Sequence, residues 1–493
     1  MKNGVIRSFC EDSNGDIYIG TFNGLYVLDQ KKSKLRGYFS EAEYDSGLSH
    51  NSIHDIIKDF AGNLWIGTYS GGANIKFGTT YPFQTYRHSE SFADTTSSNI
   101  SNTFYEDNYG MWIGTDGGGL SLLSSFGFKN YQNPKLPSHI KAFYKDKNDL
   151  LWIGSHNLGD YDYGLVLLNQ KTAAIEKHLG QNLSVYGIQV APNGYIWLAT
   201  SNKGLVIIDE NTDRMVDGIL MPTSLKNLTK IVQYSADLNV MFICSDSEVF
   251  LYNFDRHQFV EIKIPSSGLF YSINDFFIDS EQNVWIGMSN GLMKISNLNY
   301  TNGACDVEVF DSSIANVKSI QEDTFGKIWI SSFQGLMSLN KDFSDTQIYD
   351  QNYGIQGNEF INKSSYLSKD NRLWFGGNEG FTVFDPSELK KNLYVPPVYI
   401  TKFEVNNKDN FLENEENQTM LFQKEIKLTH WQNNLEFRVS ALNYYNPNRN
   451  SYAWKLFYDD EPIVQGDGPL ISVNNLNPGA YILSIIGSNN DGV

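Results

Sequence analysis

One string recurs along this chain: an apolar residue, an aromatic, a second apolar residue, then a small one. It reads Ile17-Tyr18-Ile19-Gly20, Leu64-Trp65-Ile66-Gly67, Met111-Trp112-Ile113-Gly114, Leu151-Trp152-Ile153-Gly154 and Ile196-Trp197-Leu198-Ala199. A weaker copy surrounds Phe242, and the last three centre on Trp285, Trp329 and Trp374. Successive aromatics are 40 to 47 residues apart. A period near 45 with four short strands per unit is the signature of β-propeller blades. Single blades cannot bury their faces alone, so the nine aromatics are expected between blades. The small residue two places after each aromatic allows close approach of the next blade, and Cys244 takes that place in repeat six.

Each repeat parses alike. An apolar strand such as residues 317–321 leads to a turn of the form Asp-x-x-Gly, as at Asp12, Asp59 and Asp323. Asp bonds the backbone of such a turn and Gly relieves its strain. The aromatic strand follows, then a short loop to Gly-Leu and a third strand. The fourth is often aromatic, as in residues 128–131.

Repeat nine supplies three strands, ending at Phe381-Thr382-Val383-Phe384, and an unpaired blade edge is a liability. Phe83-Gln84-Thr85-Tyr86 has the composition of a fourth strand. If it closes repeat nine, repeats three to nine form a seven-bladed ring over residues 81–397, and residues 1–80 are the last two blades of a truncated propeller. One irregular eight- or nine-bladed ring is the competing arrangement. After Pro396-Pro397, residues 398–405, 435–441, 452–456 and 481–485 read as half-buried strands of a β-sandwich over 398–493. The turn-like end at Asn489-Asn490-Asp491-Gly492 suggests an incomplete sandwich. The fold class expected is all-β.

Lys+Arg number 38 against 56 Asp+Glu, a net charge of −18. This argues against a broad nucleic-acid or anionic-lipid surface, though not against a local basic pocket. Three cysteines (Cys10, Cys244, Cys305) give neither a disulfide framework nor zinc spacing. Residues 1–10 hold no apolar signal core, and no run of 18 apolar residues occurs.

The Leu-Trp-Ile-Gly-Thr and Gly-Gly-Gly-Leu strings, clearest in residues 112–120, resemble the two-component regulator propeller repeat. Gly354-Ile355-Gln356-Gly357-Asn358-Glu359-Phe360 with Leu373-Trp374-Phe375-Gly376-Gly377 resembles that family's final blade. Residues 398–493 resemble the triple-tyrosine Ig-like domain that follows it. The resemblance implies the periplasmic sensor region of a hybrid two-component histidine kinase, truncated at both ends. It further implies an oligosaccharide ligand and a homodimer through the sandwich in the intact protein. Membrane attachment would come only through a helix downstream of this chain, with no nucleic-acid contact by this region. No cofactor or metal is expected, and no catalytic domain, since no kinase motif occurs.

Gly287-Met288-Ser289-Asn290-Gly291 fits G-x-S-x-G, but a nucleophile elbow must open a helix. The same register in repeat one reads Gly20-Thr21-Phe22-Asn23-Gly24, an ordinary loop. His50 and His54 flank a loop, and Gly117-Gly118-Gly119 is turn chemistry. The informative irregularity is in repeat four, where the loop from Ser155 to Tyr163 is about five residues longer than its counterparts. Loops of this kind gather at one face, so the insertion should project over the central opening. His156, Asn157, Asp160, Tyr161 and Tyr163 have the chemistry of sugar binding. Asp116, Asn202, Asn290, Gln334, Asn378 and Glu379 lie on the same face. The expectation is a ligand-sensing module. Its rivals are a propeller-based polysaccharide lyase or glycosidase, which would draw on Asp160, Tyr161 and Asp162, and a protein-interaction scaffold.

Overall fold

A computed structural model describes residues 5–29, 34–39, 48–78, 81–89, 95–131, 133–146, 148–156, 163–216, 218–264, 272–310, 314, 316–406, 408–409 and 425–493. The chain forms two compact units. One comprises residues 1–81 with 390–493, the other residues 82–389.

The second unit is a ring of seven four-stranded antiparallel blades, one for each of repeats three to nine. Blade four shows the pattern: Ile140–Lys145 innermost, then Leu150–Ser155, Tyr163–Asn169 and Ala174–Gln181. The innermost strands of blades three to six lie in succession against one another, as do those of blades seven to nine, and that of blade nine lies against that of blade three; Phe242 and Phe276 join blades six and seven, closing the ring. Blade nine takes its outer strand from the other end of the unit. Gln84–Tyr86 pairs with Gly380–Phe384, with Phe381 opposite Tyr86 and Val383 opposite Gln84. The edge expected to be unpaired is therefore covered by chain that precedes blade three.

The repeated string explains the packing. Trp112, Trp197, Trp285, Trp329 and Phe242 are fully buried. A Cβ at Gly114 would meet Ile140 Cγ2 at 2.5 Å, and one at Gly287 would meet Val317 Cγ1 at 2.6 Å. Those partners belong to the following blade, so the small residue sets how closely blades approach. Cys244 is fully buried there, and burial pushes its thiol pKa far up, leaving an inert small core residue.

The first unit contains a four-stranded blade one, a three-stranded blade two and a β-sandwich. One sandwich sheet runs Lys408–Asp409, Val398–Val405, Leu435–Ala441, Leu470–Val473, and the other runs Glu461–Asp467, Ser451–Tyr458, Tyr481–Ser488. Phe403, Phe437, Trp454 and Ile471 fill the space between them. Trp65 of blade two, half-exposed, meets Tyr444 of the sandwich edge-on at 5.1 Å. Tyr445 receives Phe77 at 4.8 Å and Tyr81 at 5.2 Å. The Asn489 turn is firmly held, its Nδ2 donating to the carbonyls of Asn392 and Tyr394 at 2.7 Å each.

Candidate functional site

The ring's inner strands place one residue per blade at an equivalent register: Asn102, Lys141, Tyr186, Lys230, Asn274, Lys318 and Lys363. Each stands ten to twelve residues before its central aromatic. In blades three, four, five and seven this residue is the one at which the pairing register shifts. Such a bulge re-aims a side chain out of the sheet. Antiparallel pairing puts this position beside the end of the second strand, so these seven residues share a mouth of the central tunnel with the loops singled out above.

Blade nine alters its own strand to reach this mouth. Its pairing jumps from Phe360 opposite Gly377 to Ser365 opposite Phe375, and Lys363 sits in the bulge with φ 62°. Lys363 Nζ donates to the carbonyls of Tyr186 at 2.8 Å and Lys230 at 3.0 Å. Those residues belong to blades five and six, opposite blade nine in the ring, so the side chain spans the tunnel. Asn362 Nδ2 reaches Asn274 Oδ1 of blade seven at 3.2 Å.

Two of the expected site residues join this mouth. The Asp116 carboxylate receives His139 Nδ1 in a very short contact and Lys141 Nζ at 2.9 Å. Burial raises its pKa, but the hydrogen bonds from His139 and Lys141 outweigh that and hold it below the usual carboxylate value. His156 Nδ1 lies 3.0 Å from the Tyr186 hydroxyl, with the rings edge to face at 5.6 Å. Burial, then the Lys141 charge, lowers the His156 pKa, while burial and Asp116 raise that of Tyr186. A neutral imidazole beside a protonated phenol makes Tyr186 the donor and leaves the His156 proton on Nε2. Asp116, His139, Lys141, His156 and Tyr186 thus present donors, an acceptor and two aromatic faces.

Most of the other described site residues make contacts of their own. Asn157, Asp160 and Tyr161 lie outside the described residues. Tyr163 leans on His178 with centroids 5.1 Å apart. Asn202 serves its own turn, accepting from Ser184 N and donating to Asn182 O. Asn290 is an exposed loop residue, and the Gln334 amide N–H donates to Ser332 Oγ. Asn378 Nδ2 donates to Glu359 Oε2 at 2.8 Å, and Glu379 lies 3.7 Å from Arg87. A strand follows Ser289, so no elbow exists there. Sequence reasoning missed His139, Lys141, Tyr186, Lys230, Lys318 and Lys363. Aligning the repeats on the inner strand as well as on the aromatic exposes all but His139. A second cavity, of about 240 Å³, lies in the first unit, where Lys76 meets Asp12 at 2.9 Å beside Tyr18.

Residues 1–23 and 47–70 match the family model of the two component regulator propeller. Both stretches contain the aromatic string. The two matched stretches fall in blades one and two. Over 424 residues, 78% of this chain, the sequence is 26% identical to histidine kinase P4 of Formosa agariphila. That match covers 29% of the relative, so this chain spans under a third of its length. The fold is shared with the extracellular domain of the hybrid two component system BT3049 from B. thetaiotaomicron. There the TM-score is 0.77 at 22% identity, over 98% of this chain and 70% of that one. The corresponding domain of BT4673 from the same organism gives 0.51 at 20% identity, over 100% and 68%. Among the described residues, no helix is long and apolar enough to cross a membrane.

Proposed function

We propose that this chain is the ligand-sensing, extracytoplasmic region of a hybrid two-component histidine kinase, and that it binds an oligosaccharide at the tunnel mouth of the seven-bladed ring. The observation that carries the reading is the network of Asp116, His139, Lys141, His156 and Tyr186 on that mouth. Aromatic faces cover the C–H surface of a sugar, while the His and Lys donors and the Asp acceptor address its hydroxyls. The likeness to extracellular domains of such systems supports an extracytoplasmic setting, read here as the periplasm. Residues 1–80 are read as the end of a preceding propeller, and 398–493 as an Ig-like domain through which two sensor chains associate.

Signalling then works by population shift. A ligand that binds one arrangement of the paired sensors better than another biases them by its differential affinity. In the intact protein a membrane helix and a kinase would read this bias. The experiment uses the intact sensor region with spin labels on the sandwich, at Lys455. A change in label separation at saturating oligosaccharide is expected. Unchanged separation with ligand demonstrably bound refutes the relay.

A further inference from the structure

The seven equivalent mouth positions hold four lysines: Lys141, Lys230, Lys318 and Lys363. Lysine and arginine together make 38 of 493 residues, so seven positions would carry fewer than one by composition. The enrichment occurs in a chain of net charge −18. These lysines are also close neighbours. Lys363 touches the Lys230 carbonyl through its ammonium and the Lys318 carbonyl through its backbone N–H, at 3.0 and 2.8 Å. Lys141 Nζ lies 6.0 Å from the ring of Tyr186, whose carbonyl also receives Lys363.

Their partners divide them into two pairs. Lys141 is matched by Asp116, and Lys230 by Asp246 in a very short contact. Among the described residues, Lys318 and Lys363 have no carboxylate at salt-bridge distance. Lys318 lies over the Phe333 ring at 4.9 Å, and Lys363 meets only neutral carbonyls. Burial lowers the pKa of both, Lys363 to about 8, and the more distant charges of Glu359 for Lys318 and Asp275 for Lys363 offset only part of that. An anion at this mouth would give them the pairing that the other two lysines have. One further group at this register lacks a partner. Asn102, 4% exposed, donates through Nδ2 to Ile140 O, but its Oδ1 is buried without a donor among the described residues. An inorganic anion such as sulfate cannot fill that place, whereas a sugar hydroxyl can.

We infer that the tunnel mouth selects an anionic saccharide, with its carboxylate or sulfate held by Lys318 and Lys363 and a hydroxyl donated toward Asn102. This inference rests on the sensor reading and narrows its ligand class. The test is calorimetric titration of the full 493-residue chain with uronic-acid and sulfated tetrasaccharides, neutral tetrasaccharides and sodium sulfate. Acidic tetrasaccharides should bind at least about tenfold more tightly than neutral ones, and more weakly as salt rises. Lys318→Gln, which loses no hydrogen bond of the fold, should cost about tenfold in affinity for them, and Lys363→Gln at least as much. Equal binding of neutral sugars, unaffected by Lys318→Gln, overturns the inference and leaves the sensor reading standing. Sulfate binding as tightly as the tetrasaccharides overturns it in favour of an inorganic-anion site. Failure of every saccharide to bind removes both readings.

Discussion

The Trp285 indole N–H donates to Asp279 Oδ2 at 2.9 Å, while Asp279 Oδ1 accepts the backbone N–H groups of Glu281 and Asn283 at 2.9 and 2.8 Å. One carboxylate therefore ties the turn of the blade to its central aromatic. The same arrangement joins Asp59 to Trp65, Asp146 to Trp152 and Asp323 to Trp329. Two blades with a central Trp have no Asp at the turn. Their turns begin with Ala191 and Ser368, and the buried indole nitrogens of Trp197 and Trp374 have no partner among the described residues.

That contrast makes a stability prediction in both directions. Asp279→Ala strands a buried indole and opens the turn, and should cost about 3 kcal/mol. Ala191→Asp gives Trp197 its acceptor and should add about 1 kcal/mol. Urea unfolding followed by tryptophan fluorescence measures both. A destabilised Ala191→Asp protein would mean that blade five cannot accommodate the carboxylate.

A second prediction concerns pH. Asp275 is 6% exposed, and burial pushes its pKa up to about 7, against hydrogen bonds from Ile320 N and Phe276 N and the nearby Lys363 charge. The folded form thus holds a proton that the unfolded chain releases near pH 4. Between those values stability falls as pH rises, by at most about 1.4 kcal/mol for each step of one in pH. The melting temperature of the wild type, relative to Asp275→Asn, should fall from about pH 4.5 to about pH 7. A difference that stays flat, or grows with pH, contradicts this account.

The Asn489 turn gives a third. Asn489 is 1% exposed and serves two carbonyls through Nδ2 and two backbone N–H groups, of Asp491 and Val493, through Oδ1. Asn489→Ala leaves these groups unpaired and should destabilise the first unit by about 2–3 kcal/mol. Proteolytic susceptibility of the sandwich should rise with it, and unchanged susceptibility would show the turn to be dispensable.

Association in solution supplies a fourth. Phe9 and Ile57, on the inner strands of blades one and two, are 75% and 59% exposed. Exposed apolar side chains on strand faces favour self-association. Sedimentation velocity should show weight-average mass rising with concentration, and Phe9→Ser with Ile57→Ser should suppress the rise. A monodisperse wild-type chain across the accessible range would refute this.

Much of the fold is legible because blade packing imposes a repeated chemical requirement. The small residue after each aromatic, the Asp turns and the strand Gln84–Tyr86 can each be read from spacing and composition. The strand Glu461–Asp467 escapes such reading because nearly all its residues are exposed, and Leu470–Val473 because it is only four residues long, although buried Ile471 and Val473 alternate with exposed neighbours. The site was less legible for a different reason. Lys318 and Lys363 have no motif of their own: Lys363 takes its place from the bulge of blade nine, and Lys318 from the equivalent register just ahead of the inner strand of blade eight. Asn202 has the chemistry of a ligand residue but spends it on its own turn.

The most direct measurement is a crystal structure of the chain with a bound uronic-acid tetrasaccharide. The account predicts sugar density at the tunnel mouth of the ring, with a carboxylate oxygen about 2.8 Å from the ammonium of Lys318 or Lys363. Sugar bound to blades one and two or to the sandwich, with that mouth empty, would contradict it.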